Sequence, residues 1–174
     1  MNKKYLITGL FAVILFQLFV LVGEYANAVY PIWTGKAIKL KTVPVDPRSM
    51  FRGNYARLRY EISQIPGDSI NHKKTPRNGE IVFVSLNIDK DGIASYNGAS
   101  LEQPQQGYFI RGRIKNDSSR HKSSTYRVNY GIEAYFLPKE KALRLENRLR
   151  DNAIAVVMLA DNGKATLKEV IEDK

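Results

Sequence analysis

The hydrophobic pattern divides the chain into two unlike parts. Lys3 and Lys4 precede an apolar run, Tyr5 to Val22, interrupted only by Thr8, Gly9 and Gln17. As a helix rising roughly 1.5 Å per residue, this run is about 27 Å long, close to the ~30 Å of a bilayer's hydrocarbon core. The leading lysines place its N-terminus in the cytoplasm and the rest of the chain outside. A cleaved signal peptide is the rival reading, with small residues at Ala26-Asn27-Ala28 where a signal peptidase cuts. The run exceeds the usual signal core of about 7–15 residues, which favours a retained anchor over residues 1–28. Residues 29–35 then read as a linker. Tyr30 and Trp33 suit a membrane interface there, with Trp33 as the first core residue of the following domain nearly as good a fit.

From residue 36 to 174 the pattern shifts to short alternating segments bounded by turn residues. Lys36 to Val43 puts Ile38, Leu40 and Thr42 on one face and Lys39 and Lys41 on the other. From Tyr55 the alternation is clean: Ala56, Leu58, Tyr60 and Ile62 share one face, with Tyr55, Arg57, Arg59 and Glu61 opposite. Pro66 to Gly79 reads as an exposed loop. Glu80 to Ile88 is a strand, Asp89 to Gly92 a turn, and Ile93 to Tyr96 its hairpin partner, with Asn97-Gly98 expected to turn again. Tyr108 to Lys115 is half-buried. Tyr126 to Phe136 is expected as one long strand with Tyr126, Val128, Tyr130, Ile132, Ala134 and Phe136 on a single face. Lys139 to Arg150 reads as a short amphipathic helix behind Pro138. Ile154 to Leu159 is apolar throughout, as in a buried strand, and Asp161-Asn162-Gly163 turns it into a last strand over Lys164 to Ile171. The fold class expected is therefore mainly β, a barrel or sandwich with one short helix, preceded by one N-terminal transmembrane helix.

Composition narrows the chemistry. The chain has 174 residues and no cysteine, so it holds neither a disulfide framework nor a thiolate metal site. Lys and Arg number 27 against 17 Asp and Glu, a formal net charge of +10. That excess suits a solvated basic surface or an anionic partner. His72 and His121 lie in polar segments without carboxylate spacing, so no metal and no cofactor are expected. Neither a phosphate loop, a dinucleotide fingerprint nor a Gly-x-Ser-x-Gly elbow is present. Arg57 and Arg59 beside Tyr55 are a conceivable stacking and phosphate-binding face, but export of the domain argues against nucleic acid.

The densest run of special residues is Val45 to Tyr60. Pro44 and Pro47 hold Val43 and Asp46 extended, and Asp46-Pro47 is a turn-initiating pair. Gly53 suits a backbone angle that other residues resist. The core of this run, Gly53-Asn54-Tyr55 with Leu58 and Tyr60, resembles the signature of the GDYXXLXY family of bacterial membrane-anchored proteins. Pro44-Val45-Asp46-Pro47-Arg48, Phe51-Arg52-Gly53, Tyr130-Gly131-Ile132-Glu133, Tyr135-Phe136 and Leu145-Glu146 also look like the family's pattern, so the resemblance covers about residues 36 to 171. It implies an exported domain on one anchor in the bacterial cytoplasmic membrane, facing the periplasm or exterior and often encoded beside polytopic membrane proteins. Two positions depart from the pattern: Asn54 stands where Asp is usual, and Ser49 where an acidic residue is common. Asn54 still donates and accepts hydrogen bonds and tolerates unusual backbone angles, which favours a structural role there over acid–base catalysis.

The expectation is a membrane-anchored binding or accessory protein that supports a polytopic membrane protein. Asp46, Arg48, Arg52, Gly53, Asn54, Tyr55, Arg57 and Glu133 are the expected binding surface, and Pro47, Leu58, Tyr60, Tyr130 and Gly131 the structural part of the motif. Arg111 and Arg113 are the next basic candidates. The alternative is a signal-peptidase-like Ser–Lys hydrolase using Ser49. Such chemistry needs a neutral lysine within reach of the serine, and Lys73, Lys74 and Lys90 sit in polar loops that offer no burial to lower a lysine pKa.

Overall fold

The computed structural model describes residues 3–43, 55–70, 76–115, 125–136 and 153–172. One helix, α1 (Lys3–Thr34), is followed by ten strands among these residues. They are β1 (Lys36–Lys41), β2 (Tyr55–Arg57), β3 (Gln64–Pro66), β4 (Ile81–Ile88), β5 (Ala94–Ser100), β6 (Tyr108–Lys115), β7 (Thr125–Asn129), β8 (Ala134–Phe136), β9 (Ala153–Leu159) and β10 (Ala165–Glu172). Short 3-10 turns cover Glu61–Ser63 and Gly67–Ser69. The expected helix over Lys139 to Arg150 lies outside the described residues.

α1 is 32 residues long, long and apolar enough to cross a membrane. Its side chains face outward, and Pro31 is the buried residue along it. Residues 29–34, expected as a linker, are its last turns. The helix continues through Pro31 for a specific reason. A proline has no N–H for the carbonyl four residues back, here that of Asn27. Lys164 Nζ donates to that oxygen at 2.9 Å and to Asn27 Oδ1 at 2.8 Å, replacing the missing partner. The helix closes with the Gly35 amide on the Pro31 carbonyl at 2.9 Å. A Cβ on Gly35 would stand 2.3 Å from the Pro31 oxygen and 3.0 Å from the backbone of Leu159, so the helix end and β9 touch at a place only glycine fits.

The strands form three antiparallel sheets. β9 is the centre of a three-stranded sheet, β1-β9-β10, with Lys36 opposite Leu159 and Lys41 opposite Ile154. It carries the continuous apolar run because both its faces are covered. The second sheet has five strands in the order β3-β7-β6-β4-β5. A parallel bridge from Ile70 to Ala99 brings the chain after β3 to the far edge strand β5, so this sheet curls into a nearly closed barrel. β2 and β8 form a two-stranded pair. A bridge from Lys39 to Ile93 and the Arg111 amide on the Gly163 carbonyl, 2.8 Å, tie the sheets together. Ile38, Leu40, Val157 and Leu159 from the first sheet share one core with Val82, Val84, Ile110, Ile114 and Val128 from the second. The β-rich fold expected from the pattern is therefore the one observed.

Several expected features differ. The strand whose alternation runs from Tyr55 to Ile62 in the sequence ends at Arg57, and Glu61–Ser63 is a 3-10 turn. The segment expected as an exposed loop from Pro66 starts with a 3-10 turn, and Ile70 is buried at 2% where it bridges Ala99. Asn97-Gly98 makes no turn but a bulge inside β5. Leu86 pairs with Tyr96 and Val84 with Ala99, so Ser85 faces two residues, and Gly98 takes the positive φ of 127° there. The single strand expected over Tyr126 to Phe136 is broken into β7 and β8. Gly131 sits at φ 84°, in the left-handed region where glycine carries no side-chain penalty. The alternation is reset there, and Ala134 is exposed rather than facing the core.

Candidate arginine-lined cleft

The break at Gly131 builds the neighbourhood of the motif. Glu133 lies three residues beyond Tyr130, and its carboxylate reaches back over the turn. Oε1 accepts from the Tyr130 amide at 2.5 Å and Oε2 from the Gly131 amide at 2.9 Å. The Glu133 carbonyl accepts from the Leu58 amide at 2.7 Å, and Arg57 pairs with Ala134 on β8. The strand bearing the motif is thus hydrogen-bonded to the segment that follows Tyr130.

Two tyrosines lock the same segments reciprocally. The Tyr60 hydroxyl donates to the Ile132 carbonyl at 2.5 Å, and the Tyr130 hydroxyl donates to the carbonyl of Ile62. Tyr60 is 1% exposed and Leu58 3%, so both are core, as their shared face predicts. Burial, with the Glu133 carboxylate as a smaller contribution, pushes both phenols far above the ordinary tyrosine range. Both therefore stay protonated donors at neutral pH and hold backbone carbonyls.

On the opposite side of the motif segment, Arg57 at the end of β2 and Arg59 just beyond it meet Arg127 from β7 at a cleft of about 100 Å³, also lined by Ser63, Asn129 and Glu133. Arg57, Arg127 and Asn129 are exposed and Arg59 is half-buried. No described carboxylate forms an ion pair with the three guanidinium groups, and the Glu133 oxygens are held by the turn amides. Such a site can receive an oxyanion. Planar guanidinium forks match carboxylate or phosphate edges bidentately. Ser63 Oγ accepts weakly from the Tyr60 amide at 3.4 Å and remains a possible hydroxyl donor at the cleft wall.

The structure places the expected site residues unevenly. Arg57 and Glu133 meet at the cleft, and Leu58, Tyr60, Tyr130 and Gly131 form its supporting clasp. Tyr55 is the first residue of β2, paired with Phe136. Asp46, Pro47, Arg48, Ser49, Arg52, Gly53 and Asn54 lie outside the described residues, as do His72 and His121. Arg111 and Arg113 stand on the outward face of β6, with Arg113 Nη1 donating to the Gly79 carbonyl at 3.0 Å. Arg127, Arg59, Ser63 and Asn129 were not expected as a group. The alternation puts Arg59 outward beside Arg57, but the meeting with Arg127 depends on pairing between segments some seventy residues apart.

A larger cavity, about 500 Å³, lies at the helix end of the domain between Lys36, the Gln103–Gly107 loop and Asp161. Lys36 Nζ donates to the Tyr108 hydroxyl at 2.6 Å and sits 4.7 Å from the ring centroid. The one cation among its described lining residues is already engaged, and no described motif residue lines it.

The family model described as GDYXXLXY protein matches residues 17–170. No curated protein and no solved structure matches the chain. The matched span takes in the second half of α1 and every strand through most of β10, including the tyrosine clasp and the arginine cleft. The chain belongs to the GDYXXLXY family.

Proposed function

We propose that this protein is a membrane-anchored, extracytoplasmic accessory domain that binds and supports a membrane protein, most simply a polytopic one in the bacterial cytoplasmic membrane. The observation that carries this reading is α1. Its apolar side chains from Tyr5 to Val22 are exposed, and its last turns are fastened to the folded domain by Pro31, Gly35 and the Lys164–Asn27 bonds. A domain so attached is held close to the bilayer in a restricted orientation, which suits a partner in the same membrane. Lys3 and Lys4 at the start of α1 favour a cytoplasmic N-terminus. The Ala26-Asn27-Ala28 segment is helical and Asn27 is bonded to β10's turn, which favours retention of the anchor over cleavage. The hydrolase alternative through Ser49 has no observation in its favour among the described residues.

The test is made on the intact protein in its membrane. Extraction in alkaline carbonate should leave it in the pellet with its N-terminus retained, and protease added outside spheroplasts should digest the domain. Mild crosslinking before solubilisation should then recover a membrane protein with it. Release as a soluble chain beginning at Val29, or protection from external protease, would overturn the anchor or its orientation. Recovery of the chain alone under several crosslinkers would overturn the accessory role.

A further inference from the structure

Among the described residues lining the arginine cleft, three guanidinium groups stand against the single carboxylate of Glu133, whose oxygens are held by the turn amides. Arg57, Arg59 and Arg127 converge on it with no described carboxylate paired to them. The crowding continues along the barrel. Lys115 and Arg127 are direct cross-strand partners, both exposed, and like charges placed opposite one another destabilise an antiparallel pair. Arg113 lies on the same outward face, opposite Asn129, with Arg111 two residues further along β6. A cleft sized for one oxyanion group, with a row of further cations leading away from it, matches a series of linked anions better than a single free one.

The position of the cleft narrows the source. β1 and β6 both run from the helix junction toward it. Lys36 and Tyr108 meet at the junction end. At the other end the Val43 amide bonds the Arg59 carbonyl, and Lys115 faces Arg127. At roughly 3.3 Å per residue, the cleft is about 20 Å along these strands from the helix end. On the anchored reading, the headgroups around α1 would lie at the junction end, about that distance from the cleft.

The geometry points to docking of an acidic peptide segment, a run of Asp or Glu side chains on the partner, with one carboxylate in the Arg57–Arg59–Arg127 cleft and its neighbours along Lys115 and Arg113. This rests on the accessory reading above and names the chemistry of the contact. Steering by such a field also speeds encounter with an acidic partner.

The experiment titrates the intact protein, in neutral detergent at low salt, with hexaglutamate peptide. Inorganic phosphate and phosphatidylglycerol vesicles are the comparison arms. Hexaglutamate should bind, and Arg127→Gln and Arg57→Gln should each weaken it about tenfold, as loss of a charge-assisted hydrogen bond does. Lys168→Gln, on the exposed surface of β10, should change it less than about twofold, the size expected of a remote screened charge. Thermal midpoints of all variants are recorded alongside. Should either glutamine variant unfold, Arg57→Lys keeps the charge, loses the fork and should bind with intermediate affinity. The inference fails if phosphate or vesicles bind more tightly than hexaglutamate through the same arginines, if nothing binds, or if Lys168→Gln is as damaging as Arg127→Gln. The two readings separate cleanly. Arginine-dependent hexaglutamate binding without any crosslinked partner refutes only the accessory role. A crosslinked partner that the Arg57→Gln and Arg127→Gln variants still recover, with no hexaglutamate binding, refutes only the acidic dock.

Discussion

At the scale of single residues, the signature positions Leu58 and Tyr60 are buried, while Arg57 beside them is exposed. Leu58 packs in the shared core at 3% exposure, and Leu58→Ala should lower stability by about 2–5 kcal/mol, the range for a buried leucine left as a cavity. Tyr60→Phe keeps the ring and removes only the hydroxyl on the Ile132 carbonyl. It should cost about 1–3 kcal/mol, because a buried acceptor then loses its donor. Chemical denaturation of the three proteins side by side checks both, and a Tyr60→Phe variant as stable as the parent would mean the clasp adds nothing. The same tyrosines predict a pH dependence. Their folded pKa lies well above the unfolded value of about 10, so the native state keeps two protons that the unfolded chain releases. Their contribution is complete below pH ~10 and declines as pH rises beyond it, by up to about 1.4 kcal/mol per pH unit for each tyrosine. In an alkaline titration followed by phenolate absorbance, two of the ten tyrosines should ionise only with unfolding. Ten tyrosines titrating together in the folded protein would contradict this.

At the scale of elements, the junction between α1 and the sheets depends on one substitution of partners. Pro31 removes a helical hydrogen bond and Lys164 supplies its replacement from the turn between β9 and β10. Lys164→Ala should therefore raise amide exchange over Val29 to Thr34 several-fold while the domain's thermal midpoint moves little, since the lysine's contacts are exposed ones. Pro31→Ala restores an N–H at that turn. In the Lys164→Ala background it should recover much of the protection, an interaction between neighbours that a simple sum of the single effects would miss. Equal protection in the parent and in Lys164→Ala would show that packing alone fastens the helix. The other element-scale feature is the interruption of the long alternating segment at Gly131. Without the left-handed residue and the Glu133 carboxylate across the turn, β7 would continue in line instead of redirecting the chain to pair β8 with β2.

At the scale of the whole molecule, the features on which the proposed function rests lie at opposite ends of the same strands. The helix junction and the Lys36–Tyr108 contact mark one end, the tyrosine clasp and arginine cleft the other. If the distal basic face makes the partner contact, capture of that partner should be sensitive to salt. Exposed charges act over about 10 Å at 0.1 M ionic strength and about 3 Å at 1 M. Crosslinked recovery should therefore fall steeply across that range, while the fraction in carbonate pellets should stay constant, because lipid burial of an apolar helix such as α1 does not depend on screened charges. Salt-independent recovery would shift the contact to the apolar surface of α1.

The sequence alone determined the features that depend on local period and composition. The long apolar run specifies a membrane-length helix, the period of two specifies which residues of each strand face the core, and Leu58 and Tyr60 on one face with Arg57 and Arg59 on the other follow from that period. Turn chemistry located the hairpins at Asp89–Gly92 and Asp161–Gly163 for the same local reason. Tertiary structure decided what local pattern cannot encode. Residues 29–35 read as a linker until Lys164, 133 positions beyond Pro31 in sequence, satisfies the carbonyl that the proline orphans. Asn97-Gly98 reads as a turn until the register with β4 makes it a bulge. Arg127 reads as one more outward cation until β3 and β7 pair and set it beside Arg57 and Arg59. In each case the deciding partner is distant in the chain, and a hydrogen bond or a charge acquires its meaning only when the fold brings that partner within reach.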